Sequence, residues 1–198
     1  MEDLTFPGPE GMPVNVQGLC LDGNDLWIAT FGNGVYRMDF PSRKIRKNYL
    51  SELSAATIAQ TKSGDIYLGT TSGLYRYDRA EDRFQSCPEF GSAFIHALFE
   101  DSRGNLWVGS YGNGVWAGKA GDFRHISRSD KAFGLTSDYI TSIKEDSRHR
   151  LWVLTEAGGA CYASLDEIAS GEFQFKNLNR KTGLPSSIAC GLQEEQPT

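Results

Sequence analysis

Apolar residues fall in short runs along this chain, separated by polar clusters rich in glycine. The stretch around residue 100 shows the pattern best. Phe94-Ile95-His96-Ala97-Leu98-Phe99-Glu100 is apolar with little alternation, as expected of a strand covered on both faces. Asp101-Ser102-Arg103-Gly104-Asn105 reads as a polar turn, with glycine where a positive φ costs little. Leu106 to Tyr111 predicts a second strand and Gly112-Asn113-Gly114 a tight hairpin. Val115 to Lys119 predicts a third strand, Gly121-Asp122 a turn, and Phe123 to Ser127 a short polar fourth strand. Hydrophobicity falls from the first strand to the fourth, so the first belongs inside and the fourth outside.

This unit repeats. One phrase occurs as Leu26-Trp27-Ile28-Ala29-Thr30, Ile66-Tyr67-Leu68-Gly69-Thr70, Leu106-Trp107-Val108-Gly109-Ser110 and Leu151-Trp152-Val153-Leu154-Thr155. Its aromatic anchors at 27, 67, 107 and 152 give spacings of 40, 40 and 45 residues. A period of about 40–45 residues built from short strands is the signature of a β-propeller blade. The fold class expected is therefore all-β: a partial β-propeller of about four four-stranded antiparallel blades, open or closed only by self-association. The repeats run over 14–50, 54–87, 93–128 and 138–178, with a partial fifth from 187. Leu4-Thr5-Phe6 reads as the last strand of a preceding blade, and Ile188 to Glu194 as the first strand of a following one. The connector between blades is Gly11-Met12-Pro13, then Gly134-Leu135-Thr136, then Gly183-Leu184-Pro185. Open end blades would expose apolar faces and drive self-association, which light scattering reads directly.

Aligned columns assign most repeated residues to packing. Trp27, Tyr67, Trp107 and Trp152 are expected in the core, where large aromatics supply much of the burial energy. Gly34, Gly73, Gly114 and Gly159 recur at the hairpin, with Tyr36, Tyr75, Trp116 and Cys161 two positions later. Gly18, Thr57, Ala97, Ser142 and Cys190 form a column of small residues on the first strands, as close strand packing requires. Asp22, Asp101 and Asp146 recur at one turn and are expected to cap it rather than to form a carboxylate pair.

The net charge of −5 argues against a nucleic-acid binder, which needs a basic face. The basic run Arg43 to Lys47 reads as a solvated edge strand. No stretch reaches the ~20 apolar residues of a membrane span. Met1-Glu2-Asp3 lacks the basic start of an export signal. None of Cys20, Cys87, Cys161 and Cys190 forms a CxxC pair.

No catalytic constellation is legible. His96, His125 and His149 fall on a first strand, a fourth strand and a turn, so no metal site is expected, and no cofactor. The candidate surface is formed by the second-to-third and fourth-to-first connections, where loops ring a propeller mouth. It includes Phe31, Asn33, Thr71, Ser72, Tyr111, Asn113, Asp138, Tyr139 and Glu156. Aromatic faces stack on the C–H patches of sugars, and amides bond their hydroxyls. The bland alternative for Asn33 and Asn113 is a hairpin position that demands positive φ. The partner expected is thus a small molecule or an oligosaccharide.

The pattern Asp101-x-x-Gly104-Asn105-Leu106-Trp107-Val108-Gly109-Ser110, with Gly114 and an aromatic third strand behind it, resembles the two-component regulator propeller repeat. Gly134-Leu135-Thr136-Ser137-Asp138-Tyr139-Ile140 resembles the connector and first strand of that family. The second repeat departs from it with Thr61 in place of the turn aspartate, and the fourth lacks the glycine of the Trp strand. The turn also resembles the Asp-box of sialidases, which is structural. The resemblance implies a ligand-sensing segment of the periplasmic region of a bacterial hybrid histidine kinase, concerned with glycan fragments and non-catalytic in itself. Two other readings stay open: a propeller lyase resembling the streptogramin-inactivating enzymes, and a protein-interaction platform.

Overall fold

The computed structural model describes residues 14–119, 121–171 and 173–184. The expected strands at Leu4–Phe6 and Ile188–Glu194, the first connector, Pro185 and Cys190 lie outside them. The described chain forms four four-stranded antiparallel sheets, each with its strands in chain order. These are propeller blades. Blade 1 comprises β1 (Asn15–Asp22), β2 (Asp25–Phe31), β3 (Val35–Asp39) and β4 (Lys44–Tyr49). Blade 2 comprises β5 (Ala55–Gln60), β6 (Ile66–Thr70), β7 (Gly73–Asp78) and β8 (Arg83–Ser86). Blade 3 comprises β9 (Ile95–Glu100), β10 (Leu106–Ser110), β11 (Val115–Lys119) and β12 (Asp122–Ile126). Blade 4 comprises β13 (Ile140–Glu145), β14 (Arg150–Thr155), β15 (Gly159–Ser164) and β16 (Lys176–Leu178). A short helix α1 (Leu165–Ala169) intervenes between β15 and β16. The chain divides into two compact units, Met1–Ile95 and His96–Thr198.

In the first unit Trp27, Ala29 and Val35 of blade 1 pack with Ile58, Ile66 and Leu68 of blade 2. Tyr49, Tyr77 and Phe84 close this core around Trp27, at ring separations of 4.7–5.7 Å. In the second unit Trp107 and Val115 of blade 3 pack with Leu151 and Val153 of blade 4. Phe133, Phe173 and Phe175, from the connections of that unit, join the same core. Of the Trp column, Trp27, Tyr67 and Trp107 are buried. Trp152 is only half-buried and instead stacks on Tyr162 at 4.7 Å, with the Arg150 guanidinium 5.2 Å from its ring. Trp152 thus departs from the core position expected of it. On β1, Val16, Leu19 and Leu21 leave an exposed apolar row.

Three first strands carry a register shift at one equivalent place, between Val16 and Gly18, Ala55 and Thr57, and Ile140 and Ser142. The small-residue column follows each bulge. A Cβ on Gly18 would lie 3.4 Å from the Ile58 side chain, so smallness there serves blade-to-blade contact. Gly109 is more constrained: a Cβ would sit 2.7 Å from Cγ2 of Ile140 on blade 4.

The recurring phrase ends in a hydroxyl for a reason. Thr30, Thr70, Ser110 and Thr155 are fully buried, and each donates to the carbonyl of its hairpin glycine at 2.9 Å: Gly34, Gly73, Gly114 and Gly159. Those glycines have φ of 64°, 116°, 75° and 81°. A Cβ on Gly34, Gly114 or Gly159 would meet a carbonyl oxygen at the end of the fourth strand at 2.1–2.3 Å. Both the left-handed backbone and the close approach exclude a side chain.

The turn aspartates behave as two kinds. Asp101 accepts the N–H groups of Arg103 and Asn105 at 2.9 Å through Oδ1, and the Trp107 indole N–H at 2.9 Å through Oδ2. Asp146 does the same for Arg148, Arg150 and Trp152. The cap therefore also anchors the core aromatic six residues on. Asp22 departs from the expectation: its carboxylate runs to Gln60 at 2.8 Å and Arg79 at 2.8 Å. The turn of blade 1 is one residue shorter, and the buried Trp27 indole nitrogen is left without a hydrogen-bond partner.

A charge cluster of the first unit centres on Asp82. It accepts from Lys47 at 2.7 Å, Tyr49 at 2.6 Å and Tyr77 at 2.5 Å, linking β4 of blade 1 to the β7–β8 turn. Those three donors hold its carboxyl well below the usual carboxylate range. A depressed pKa stabilises the fold above the unfolded-chain value of about 3.9 and ceases to do so as pH falls through the folded value. Asp82→Asn is therefore expected to lower the thermal midpoint at pH 7. The gap from the parent should narrow below about pH 4. A gap that does not change with pH would contradict this assignment.

Candidate functional site

In the second unit the structure brings together Tyr111, Asn113, Asp138, Tyr139 and Glu156. The hairpin between β10 and β11 and the connection into β13 meet through a bridge between Tyr111 and Tyr139. The Asp138 carbonyl accepts the N–H groups of Gly112 at 2.9 Å and Gly114 at 3.0 Å. The Tyr139 carbonyl accepts the N–H of Glu156 at 3.0 Å. Backbone bonds thus fix three loops before any side chain is considered.

On this frame the Tyr111 and Tyr139 rings meet edge to face, 5.0 Å apart at 79°. The Tyr111 hydroxyl donates to Glu156, which pushes its ionisation upward. His96 of β9 flanks the Tyr111 ring at 6.0 Å. Tyr139 is 47% exposed and Glu156 is exposed. The arrangement offers an exposed aromatic ring beside a carboxylate, on loops joined by backbone bonds. Asp138 spends one carboxylate oxygen on the Arg128 N–H at 2.7 Å, so it braces the loop. Asn113 donates its N–H to the Ser110 hydroxyl at 2.9 Å, while His125 approaches its carbonyl at 2.6 Å.

In the first unit Phe31 and Asn33 share the β2–β3 hairpin, and Phe31 is 50% exposed. Thr71 lies on the β6–β7 hairpin, where its N–H donates to Ser54 at 3.0 Å; Ser72 beside it is exposed. Neither Asn33 nor Asn113 has positive φ; the flanking glycines at 32, 34, 112 and 114 do. The hairpins bend at glycine on both sides, so positive φ does not account for these two asparagines.

One contact set escaped the sequence. Ser102, Glu145 and His149 meet where the first turns of blades 3 and 4 touch. Glu145 accepts the Ser102 N–H at 2.6 Å and lies 2.6 Å from Nδ1 of His149. Burial alone would raise the Glu145 carboxyl, but bonds from His149 and Ser102 outweigh it and hold it low. The Ser102 hydroxyl also approaches Nδ1, at 3.4 Å. A proton relay needs the hydroxyl and the acid on opposite ring nitrogens. Here both face one nitrogen, which makes the trio a brace between turns. The other histidines sit elsewhere, His96 against Tyr111 and His125 stacked on Trp116 at 4.4 Å. Among the described residues no group of three or more His, Cys, Asp or Glu side chains is placed to hold a metal ion.

Residues 89–112 and 134–157 match the family model described as Two component regulator propeller. The two segments cover the same part of successive blades, from the connector through the first strand, the capped turn and the Trp strand into the Tyr111 or Glu156 loop. They are two-component regulator propeller repeats. No curated protein matches the sequence. Among solved structures, the extracellular domain of the hybrid two component system BT3049 from B. thetaiotaomicron superposes with a TM-score of 0.76 at 24% identity. That match covers 95% of this chain and 25% of the other, so the chain spans a quarter of its length. Virginiamycin B lyase from Staphylococcus aureus superposes at 0.62 with 12% identity, over 82% of this chain and 55% of the lyase. An ancestral GH74 enzyme superposes at 0.64 with 15% identity, over 83% and 24%. At such identities the likeness is one of fold: the described chain is a run of β-propeller blades. No helix among the described residues is long and apolar enough to cross a membrane.

Proposed function

We propose that this chain is a ligand-sensing propeller segment of a bacterial two-component regulator, placed in the periplasm, which recognises glycan fragments and performs no catalytic step itself. The observation that carries the reading is the Tyr111–Tyr139–Glu156 surface on loops of matched propeller repeats. The fold shared with the extracellular domain of a hybrid two component system supports the sensor assignment. A pyranose would lie with its C–H face on the Tyr139 ring, and Glu156 would accept hydroxyls through lone pairs not engaged by Tyr111. The backbone bridge fixes both groups in advance, which lowers the ordering cost of binding.

The test is thermal unfolding of the chain against a panel of neutral and acidic oligosaccharides from plant and host polysaccharides. A ligand that binds only the folded state raises the midpoint with concentration, by an amount set by its dissociation constant. A dose-dependent rise with at least one fragment class is expected. A flat response across the panel would overturn the glycan assignment.

A further inference from the structure

A second concavity lies at the opposite end of the same strands from Tyr111. β10 runs five residues from Leu106 to Ser110, about 17 Å of extended chain. At its Leu106 end a cavity of about 420 Å³ opens between blade 3 and the β15–β16 connection of blade 4. Trp107, Ile168 and Phe173 form its apolar wall, and Arg103, Lys119 and Arg124 supply its charge. Among the described residues no acidic side chain lines it. A neighbouring hollow of about 440 Å³ shares Arg124 and Phe173.

The cavity exists because blade 4 departs from the repeat. Its third-to-fourth connection holds residues 165–175, whereas β11 and β12 are joined by two residues. Helix α1 is started by a capping box, Ser164 accepting the Glu167 N–H while the Glu167 carboxylate accepts the Ser164 N–H. The helix carries Ile168, which packs against the core of this unit and lines the cavity.

The cations differ in commitment. Arg103 is ion-paired to Asp166, whose carboxylate is almost wholly in solvent. Arg124 is held over the Phe133 ring at 4.3 Å and donates to the Gly171 carbonyl at 3.3 Å, which orients its guanidinium. Lys119 is exposed and makes no ion pair among the described residues, although Asp122 stands opposite it in the ladder. A cavity of this volume, with apolar walls and a few oriented polar groups, has the character of a small-molecule site. An arginine fork and a lysine select an anion. The aromatic and aliphatic wall favours an apolar body over a strongly hydrated one.

We propose that this cavity binds a small carboxylate with a planar apolar body, its carboxylate between Lys119 and Arg124 and its ring against Ile168 and Phe173. The probe is indole-3-acetate, titrated calorimetrically into the 198-residue chain, with neutral indole-3-ethanol as its partner. Saturable one-to-one binding of the acid is expected, with the alcohol at least ten times weaker. Lys119→Glu should weaken the acid at least tenfold, and Ala169→Trp, which fills the exposed rim, should abolish binding. Both variants should keep the parent's thermal midpoint, since each changes an exposed side chain. Equal binding of acid and alcohol, unchanged affinity in both variants, or no saturable binding at millimolar acid would overturn the proposal.

Discussion

Replacing Asp101 by Ala is expected to cost about 2–3 kcal/mol of unfolding free energy, since it orphans a buried donor and removes a turn cap. The carboxylate is fully buried and accepts from two backbone N–H groups, the Asn105 amide and the Trp107 indole. The turn N–H groups can recover water at an open turn, but the Trp107 ring is buried in the core and its N–H cannot. An orphaned buried donor costs about 1–3 kcal/mol by itself. Asp101→Asn keeps only one acceptor oxygen and turns an N–H donor toward either the Trp107 indole or the turn N–H groups, so it should lose about as much. Urea denaturation reads both, and the slope with denaturant should stay constant because the same core is exposed on unfolding. A loss below about 1 kcal/mol for Asp101→Ala would show that the cap does not anchor the core aromatic. Blade 2 gives a natural comparison: Thr61 replaces the aspartate there, accepts the Asp65 N–H, and precedes a tyrosine with no indole to satisfy.

The second large effect is expected at Gly114. Its φ is +75°, and a Cβ would lie 2.3 Å from the Ile126 carbonyl oxygen and 3.1 Å from Asp138. The left-handed backbone alone costs a non-glycine residue about 1–2 kcal/mol. The collision adds to it, because backbone rather than a flexible side chain must move. Gly114→Ala should therefore lose at least ~3 kcal/mol, whereas Gly104→Ala should lose only the ~1–2 kcal/mol of backbone strain. Gly104 has a similar φ of +79°, but the nearest atom to its Cβ is 3.8 Å away. Equal losses at the two positions would contradict the close-approach argument. The Gly114 variant should also disturb the candidate site, since Asp138 both contacts that glycine and holds the loop leading to Tyr139.

The repeated aromatic phrase made the strands and their order readable, because periodic burial leaves a periodic pattern. In blade 3 the strand limits observed at 95–100, 106–110, 115–119 and 122–126 follow the polar and apolar runs within a residue or two. Less visible was what the repeated polar letters do. The final Thr or Ser of each phrase clamps a hairpin carbonyl, a role that depends on a hydrogen bond across the turn and not on hydrophobicity. The bulge before the small column was also hidden, since an extra residue in a strand changes register without changing composition. Helix α1 did leave a trace, Ser164 three residues before Glu167, but five residues are too few to show a helical period. The site was legible only as a set of loops. Tyr111 and Tyr139 were readable as aromatic loop residues, yet their bridge depends on backbone pairing between segments 28 residues apart. The asparagines misled because glycine on either side already supplies the positive φ assigned to them.

The proposed glycan recognition runs through the Tyr111–Tyr139–Glu156 surface. It is tested most directly by repeating the oligosaccharide thermal-shift series on Tyr139→Ala beside the parent chain. Tyr139 is half exposed, and its ring contributes little to the core, so the variant should unfold within a few degrees of the parent without ligand. The result expected is a fragment that raises the parent's midpoint dose-dependently and leaves that of the variant unmoved. Equal shifts in parent and variant, or none in either, would contradict the account.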